Sequence, residues 1–141
     1  MRWIRFDNNG TPTYGILEGD TVKVVTGDPF DGYEETNETR AFGDVKLLVP
    51  VVPKVLYAAG LNYVDHIMEY AAKTGREANI PPEADVGYRA NNALIAHGET
   101  IVIPKDATER VEYEAEIVVV IGKKAKDLTE ANALDCVLGY T

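Results

Sequence analysis

Three glutamates at alternate positions are the first residues whose types and spacing could do chemistry. Glu114 and Glu116 lie at the start of the longest predicted strand, residues 113–121, and Glu112 directly precedes it. Side chains alternate between faces along a strand, so the three carboxylates would share a face that turns apolar directly after them. Buried like charges need protonation, basic partners or a metal, and paired carboxylates suit Mg²⁺ or Mn²⁺. The alternative interpretation is an exposed strand end whose glutamates contact only water.

An imidazole and a carboxylate three residues apart form the second group. Asn62 can cap a helix that ends at Gly75, and His66 and Glu69 would share one face of that helix. A carboxylate beside an imidazole raises its basicity and orients it, which suits general base catalysis on a bound water. The alternative is a surface helix with two ordinary polar residues. The other histidine, His97, is interpreted as a loop residue.

Strands are the main elements predicted to position these groups. Residues 2–26 predict a three-stranded meander, because apolar strand-like runs alternate with turn-forming residues. Residues 27–44 are polar and are interpreted as a connector. We place a domain boundary in the apolar, proline-punctuated segment that follows. It divides the chain into a small N-terminal β subdomain, residues 1–49, and a second domain, residues 50–141.

The second domain alternates strands with short helices. Residues 55–59 predict a buried strand, and residues 101–104 form the end of another short strand. Residues 129–134 predict a short helix capped by Thr129, with Asn132 where a capping box would carry glutamate. The expected fold class is α+β, mainly β.

Composition excludes several classes of function. The chain has 23 acidic and 14 basic residues and a net charge of −9, which argues against nucleic acid or an anionic membrane as a partner. No apolar run approaches the roughly 18 residues of a membrane span, and the N-terminus lacks a signal-peptide pattern. The single Cys136 lies in an apolar stretch, which predicts a buried, inert thiol. A cytoplasmic location is the default expectation.

Both chemical groups together resemble one known family. The segment Gly60-Leu61-Asn62-Tyr63, followed by His66 and Glu69, resembles the motif G-x-N-Y-x-x-H-x-x-E of the fumarylacetoacetate hydrolase family. Residues 111–123 resemble that family's strand V-D-Y-E-A-E-L-x-V-V-I-G-K. Further segments match the family in order and spacing: residues 92–95, 101–104 and 133–141. The resemblance covers residues 50–141 and implies that they are the first part of the family's mixed β-roll.

The resemblance also implies an activity and its residues. Glu114 and Glu116 become ligands of Mg²⁺ or Mn²⁺, and His66 and Glu69 become the dyad that activates water or moves a proton. The implied substrate is a small 1,3-dicarbonyl or 2-oxo acid. The implied reaction is hydrolysis of a C–C bond through a metal-stabilised enolate, with isomerisation, decarboxylation or hydration as alternatives. The full-length protein is expected to be a homodimer.

Two departures from the family pattern limit what the resemblance implies. Many members have lysine in an F-x-K pattern where this chain has Tyr88-Arg89. Arginine keeps the charge but cannot donate a proton near neutral pH, so Arg89 is assigned to substrate binding and the reaction type stays open. The family's third metal ligand, an aspartate, is expected shortly beyond Thr141. We therefore expect the sequence to stop before the site is complete and the isolated chain to be inactive.

Two hypotheses from other classes compete with the enzyme. The chain could be a non-catalytic fragment or interaction module that binds no metal by itself, which the incomplete ligand set favours. It could also be a metal-free, β-rich binding protein, which requires both motifs to be coincidental.

Overall fold

The computed structural model describes residues 1–141 and consists mainly of β-strands with one α-helix, which confirms the α+β, mainly-β class. Two compact units are present: Met1–Pro50 with Ile95–Thr141, and Val51–Leu94. The strands are β1 (Trp3–Asn8), β2 (Thr11–Glu18), β3 (Thr21–Asp28), β4 (Gly32–Ala41), β5 (Lys46–Leu47), β6 (Leu56–Gly60), β7 (Asp85–Arg89), β8 (Val119–Ile121) and β9 (Val137–Tyr140). The helix α1 spans Val64–Thr74, and short 3-10 helices span Phe42–Asp44, Asn91–Ala93 and Ala133–Cys136. All strand pairs are antiparallel.

The first unit contains a five-stranded sheet in the order β4-β3-β2-β1-β5. Its first three strands are the predicted meander. The β1–β2 hairpin turns at Asn9 and Gly10, whose φ angles are 53° and 86°. A two-residue turn of this kind requires left-handed backbone at both positions, which asparagine and glycine tolerate best. The Asp7 carboxylate accepts a hydrogen bond from the Gly10 N–H and stabilises the turn.

The core of this sheet is formed by three buried side chains, Phe6, Val22 and Val24. Four partly buried apolar residues pack against them: Ile4, Leu17, Phe42 and Val45. Gly15 lies beside this core, and a Cβ there would stand 2.5 Å from Cγ1 of Val22. The close approach of strands β2 and β3 around Val22 therefore depends on a residue without a side chain.

The prediction of a connector over residues 27–44 is wrong. The chain turns at Asp28, whose carboxylate accepts hydrogen bonds from the N–H groups of Phe30 and Asp31. It then returns as the ten-residue strand β4, the edge strand beside β3. Nearly all its side chains are exposed, so the strand has no apolar face to reveal it in the sequence.

The second unit contains the ribbon β6–β7 and helix α1. The predicted strand over residues 55–59 is present, but it is not buried: the Tyr57 side chain is exposed. The reason is that its ribbon has only two strands. Helix α1 ends as predicted at Gly75, whose φ of 67° is left-handed. The prediction that Asn62 caps the helix is wrong: Tyr63 is the N-cap residue and provides no side-chain hydrogen bond.

The end of the chain pairs β8 with β9. The predicted strand over residues 113–121 is present only from Val119, although Val118 already exchanges two backbone hydrogen bonds with Thr141. Residues 101–104 form no strand. The predicted helix over residues 129–134 is a turn that leads into the 3-10 helix, although the Asn132 side chain accepts the Thr129 N–H at 2.7 Å as in a capping box.

The interpretation of Cys136 as a buried residue is confirmed. Its side chain is buried, and the thiol donates a weak hydrogen bond to the Ala133 carbonyl oxygen at 3.1 Å.

Candidate active site

Helix α1 presents one polar, exposed stripe that contains both residues of the predicted dyad. Ile67 and Ala71 are its buried residues, whereas His66 and Glu69 are exposed. No hydrogen bond joins His66 to Glu69. Oε2 of Glu69 instead lies 3.4 Å from Nζ of Lys73, one helical turn further on. An exposed i,i+4 pair of this kind stabilises a helix by only about 0.3–0.5 kcal/mol, so Glu69 can exchange this partner for another at little cost.

The predicted substrate-binding residue, Arg89, ends strand β7 opposite Leu56. Its Nη1 donates a hydrogen bond to the carbonyl oxygen of Tyr88 at 3.2 Å, which restrains the guanidinium group. Arg89 is exposed and lines an open hollow of about 450 Å³. Lys54 lines the same hollow, and the sequence had given no reason to single it out.

An aromatic pair on the same ribbon was also missed. Tyr57 and Tyr88 are direct partners across β6 and β7, with ring centroids 4.9 Å apart and planes tilted by 38°. The neighbouring Tyr88 hydroxyl raises the pKa of Tyr57 above its ordinary value. Only the strand register brings these rings together, because they are far apart in the sequence.

Glu114 and Glu116, the predicted metal ligands, are both exposed and form no ion pair. Neighbouring Glu112 is paired with Arg110. Their exposure agrees with the alternative interpretation, in which the glutamates contact only water. The segment has no regular secondary structure, however, and Val118 on the face expected to turn inward is 41% exposed.

The free carboxylates fit a hard divalent cation in donor type, but not in number. No group of three or more metal-binding side chains is present in the structure. Glu114 and Glu116 can therefore supply two ligands and no more. They belong to the first unit, whereas His66, Glu69 and Arg89 belong to the second.

Comparison with protein families assigns two regions of the chain. Residues 55–141 match the family described as fumarylacetoacetate (FAA) hydrolase C-terminal, and residues 1–50 match the family described as Rv2993c-like, N-terminal. The first match covers more than half of the chain. The chain belongs to the fumarylacetoacetate hydrolase family.

Individual relatives support this assignment. A protein of Archaeoglobus fulgidus is 37% identical over 137 residues, which are 97% of this chain and 48% of that protein. The homoprotocatechuate catabolism bifunctional isomerase/decarboxylase of Escherichia coli is 37% identical over 138 residues, 94% of this chain and 30% of that protein. The solved structure of 5-carboxymethyl-2-hydroxymuconate delta-isomerase from Mycobacterium smegmatis superposes with a TM-score of 0.82 at 28% identity, covering 99% of this chain and 52% of that one.

The chain spans about half the length, or less, of the relatives it matches. None of its helices is both long enough and apolar enough to cross a membrane.

Proposed function

We propose that a protein carrying this chain, together with the second half of its relatives' length, is a divalent-metal-dependent enzyme acting on a small 2-oxo or 1,3-dicarbonyl acid. One observation carries the proposal: residues 55–141, which match the family, contain both chemically capable groups. Residues 1–49 would form the N-terminal β subdomain, and residues 50–141 would form the first part of the catalytic domain.

His66 and Glu69 are proposed to handle the proton. Both are exposed on one stripe of α1, so a substrate or a water molecule can reach them. Glu69 would leave its weak pair with Lys73, accept a hydrogen bond from the His66 ring and orient it, so that the free ring nitrogen takes a proton.

Glu114 and Glu116 are proposed to bind the cation, Mg²⁺ or Mn²⁺, with further ligands from outside this chain. A bound cation would supply Lewis-acid stabilisation of the negative charge that develops on the substrate oxygens. Both carboxylates are free of ion pairs, which supports this role because no internal bond must break first.

The reaction proposed first is hydrolysis of a C–C bond, in which the dyad activates water. Isomerisation or decarboxylation is the second candidate. It is favoured by Arg89, which holds a carboxylate but cannot donate a proton, and by the names of the Escherichia coli and Mycobacterium smegmatis relatives. We further propose a cytoplasmic homodimer with a small-molecule substrate and without a nucleic-acid or membrane partner.

The metal requirement is tested with the protein that carries both halves, after chelation and addition of Mg²⁺ or Mn²⁺. Glu116→Gln removes a proposed metal ligand. It should weaken metal binding by at least about 10–100-fold, the effect of removing a residue that merely hydrogen-bonds to a ligand. Glu112→Gln is the matched control, because Glu112 is already paired with Arg110. Equal metal affinity and activity in Glu116→Gln and wild type would refute the site.

The reaction type is tested by product analysis on a panel of 2-oxo and 1,3-dicarbonyl acids. Hydrolysis incorporates one oxygen from ¹⁸O-labelled water, decarboxylation releases CO₂, and isomerisation leaves the formula unchanged. His66→Gln should lower kcat by about 10²–10⁴-fold in any of these reactions. His97→Gln is the matched control and should leave kcat unchanged.

The non-catalytic hypothesis is tested with the 141-residue chain alone. Two carboxylate ligands should bind Mn²⁺ only weakly, and tight binding by this chain would contradict the incomplete site proposed above.

A further inference from the structure

The open hollow beside Arg89 is a basic site in an acidic protein. We name it the basic hollow and define it by its lining residues, Lys54, Val55, Leu56, Tyr88, Arg89, Asn91 and Asn92. All of them belong to the unit Val51–Leu94. The chain carries a net charge of −9, yet the lining contains two cations and no acid.

Neither cation of the basic hollow has an anionic partner. Four ion pairs are present in the structure, and Lys54 and Arg89 take part in none of them. Neither charge is neutralised by a neighbouring carboxylate, so both remain available to an anion in the hollow. The arrangement therefore favours an anionic ligand.

Backbone contacts hold both cationic residues in position. Arg89 faces Leu56 across the ribbon, and Lys54 precedes Leu56 by two residues. The Asn91 amide donates hydrogen bonds to the carbonyl oxygens of Pro53, at 2.8 Å, and of Lys54, at 3.1 Å. These bonds tie the backbone at Lys54 to the chain that leaves β7.

The guanidinium group keeps donors available for a ligand. Nη1 of Arg89 donates to the Tyr88 carbonyl oxygen, while Nη2 and Nε make no hydrogen bond. A planar fork restrained in this way matches the two oxygens of a carboxylate.

We propose that the basic hollow binds a carboxylate of a small organic acid. Arg89 provides the bidentate contact, Lys54 the second positive charge, and the side-chain amide of Asn92 a neutral donor. Val55 and Leu56 contribute apolar contact for the carbon chain beside the carboxylate. The consequence for substrate choice rests on the proposed function: Lys54 becomes a specificity-determining residue that favours substrates carrying a carboxylate in addition to the reacting carbonyl groups.

The test is a titration of the ¹⁵N-labelled 141-residue chain with malonate, at constant ionic strength maintained with chloride. The expected result is a saturable shift of the backbone amide signals of Arg89, Asn91 and Asn92. Arg89→Gln and Lys54→Gln should each weaken malonate binding by about tenfold, because each removes a charge-assisted contact. Arg89→Lys should lie between wild type and Arg89→Gln, since it keeps the charge and loses the fork.

Lys46→Gln is the matched control, because Lys46 is an exposed lysine of the other unit. Malonate shifts that fail to saturate, that occur outside the basic hollow, or that weaken equally in Lys46→Gln would overturn the proposal. Lys54→Gln removes only an exposed side chain outside regular structure, so it keeps the test valid if Arg89→Gln does not fold.

The proposed function and the proposed carboxylate binding in the basic hollow can be refuted independently of each other. Metal-dependent turnover without malonate binding would reject the basic hollow alone, and malonate binding without metal-dependent turnover would reject the proposed function alone.

Discussion

Replacing Gly15 by alanine places a methyl group against the core of the five-stranded sheet. The new Cβ would stand 2.5 Å from Cγ1 of Val22, 3.0 Å from the Lys23 carbonyl oxygen and 3.3 Å from Cε1 of Phe6. Val22 cannot swing away, because its side chain is β-branched and fully buried. Overpacking of this kind costs about 1–3 kcal/mol. Alanine recovers roughly 0.4–1 kcal/mol by restricting the unfolded chain. We expect a net destabilisation of about 1–2 kcal/mol.

Urea unfolding followed by fluorescence measures this change, because the only tryptophan, Trp3, lies in β1 of the same sheet. Gly43→Ala is the matched control: its Cβ would meet no atom within 4 Å, so it should be neutral or slightly stabilising. Val22→Ala should relieve the clash, so the double variant should be more stable than additivity predicts by about 0.5–3 kcal/mol. The packing argument is refuted if Gly15→Ala is as stable as Gly43→Ala, or if the double variant is additive.

Three further predictions concern the helix, the pH dependence and the proposed dyad. Gly75→Ala should destabilise helix α1 by about 1 kcal/mol in thermal unfolding followed by circular dichroism, because φ is 67° there; Gly139→Ala, at a position with ordinary φ and no close neighbour, should not. Burial raises the pKa of Tyr14 more than the nearby Arg5 guanidinium lowers it, so the folded state holds this proton more tightly than the unfolded chain. The contribution of Tyr14 to the free energy of unfolding should therefore be constant below pH ~10 and fall above it, so Tyr14→Phe should reduce the loss of stability in that range; an identical loss in both proteins would contradict the assignment. Glu69→Gln should change stability by less than about 0.5 kcal/mol, because it removes only an exposed pair, yet lower metal-dependent turnover of the protein carrying both halves by about 10²-fold or more. Equal turnover in Glu69→Gln and wild type would remove Glu69 from the mechanism.

Local chemistry made much of the fold predictable. The turn at Asn9 and Gly10 follows from two residues that accept left-handed backbone, and the end of α1 follows from Gly75 for the same reason. The meander was predictable because its strands bury Phe6 and Val22 on one side, which leaves an apolar pattern in the sequence.

Elements without a buried face could not be found in this way. Strand β4 is almost entirely polar, since it pairs with β3 through its backbone while its side chains meet water. For the segment that contains Glu114 and Glu116 the error is the reverse: a strand is predicted where the structure has none. Its alternating residues predict a strand, but a strand also requires hydrogen-bonded neighbours, and backbone pairing with the end of the chain begins only at Val118.

The sequence alone was enough to determine the family. His66, Glu69, Glu114 and Glu116 lie at the spacings of the family's motifs, and such spacings can be recognised without a structure. Their roles as dyad and metal ligands remain predictions. Only the tertiary structure decided which groups are neighbours. The β6–β7 ribbon brings Lys54 and Arg89 to one hollow although they are far apart in the sequence. Sequence spacing describes contacts along one element, whereas contacts between elements depend on strand register.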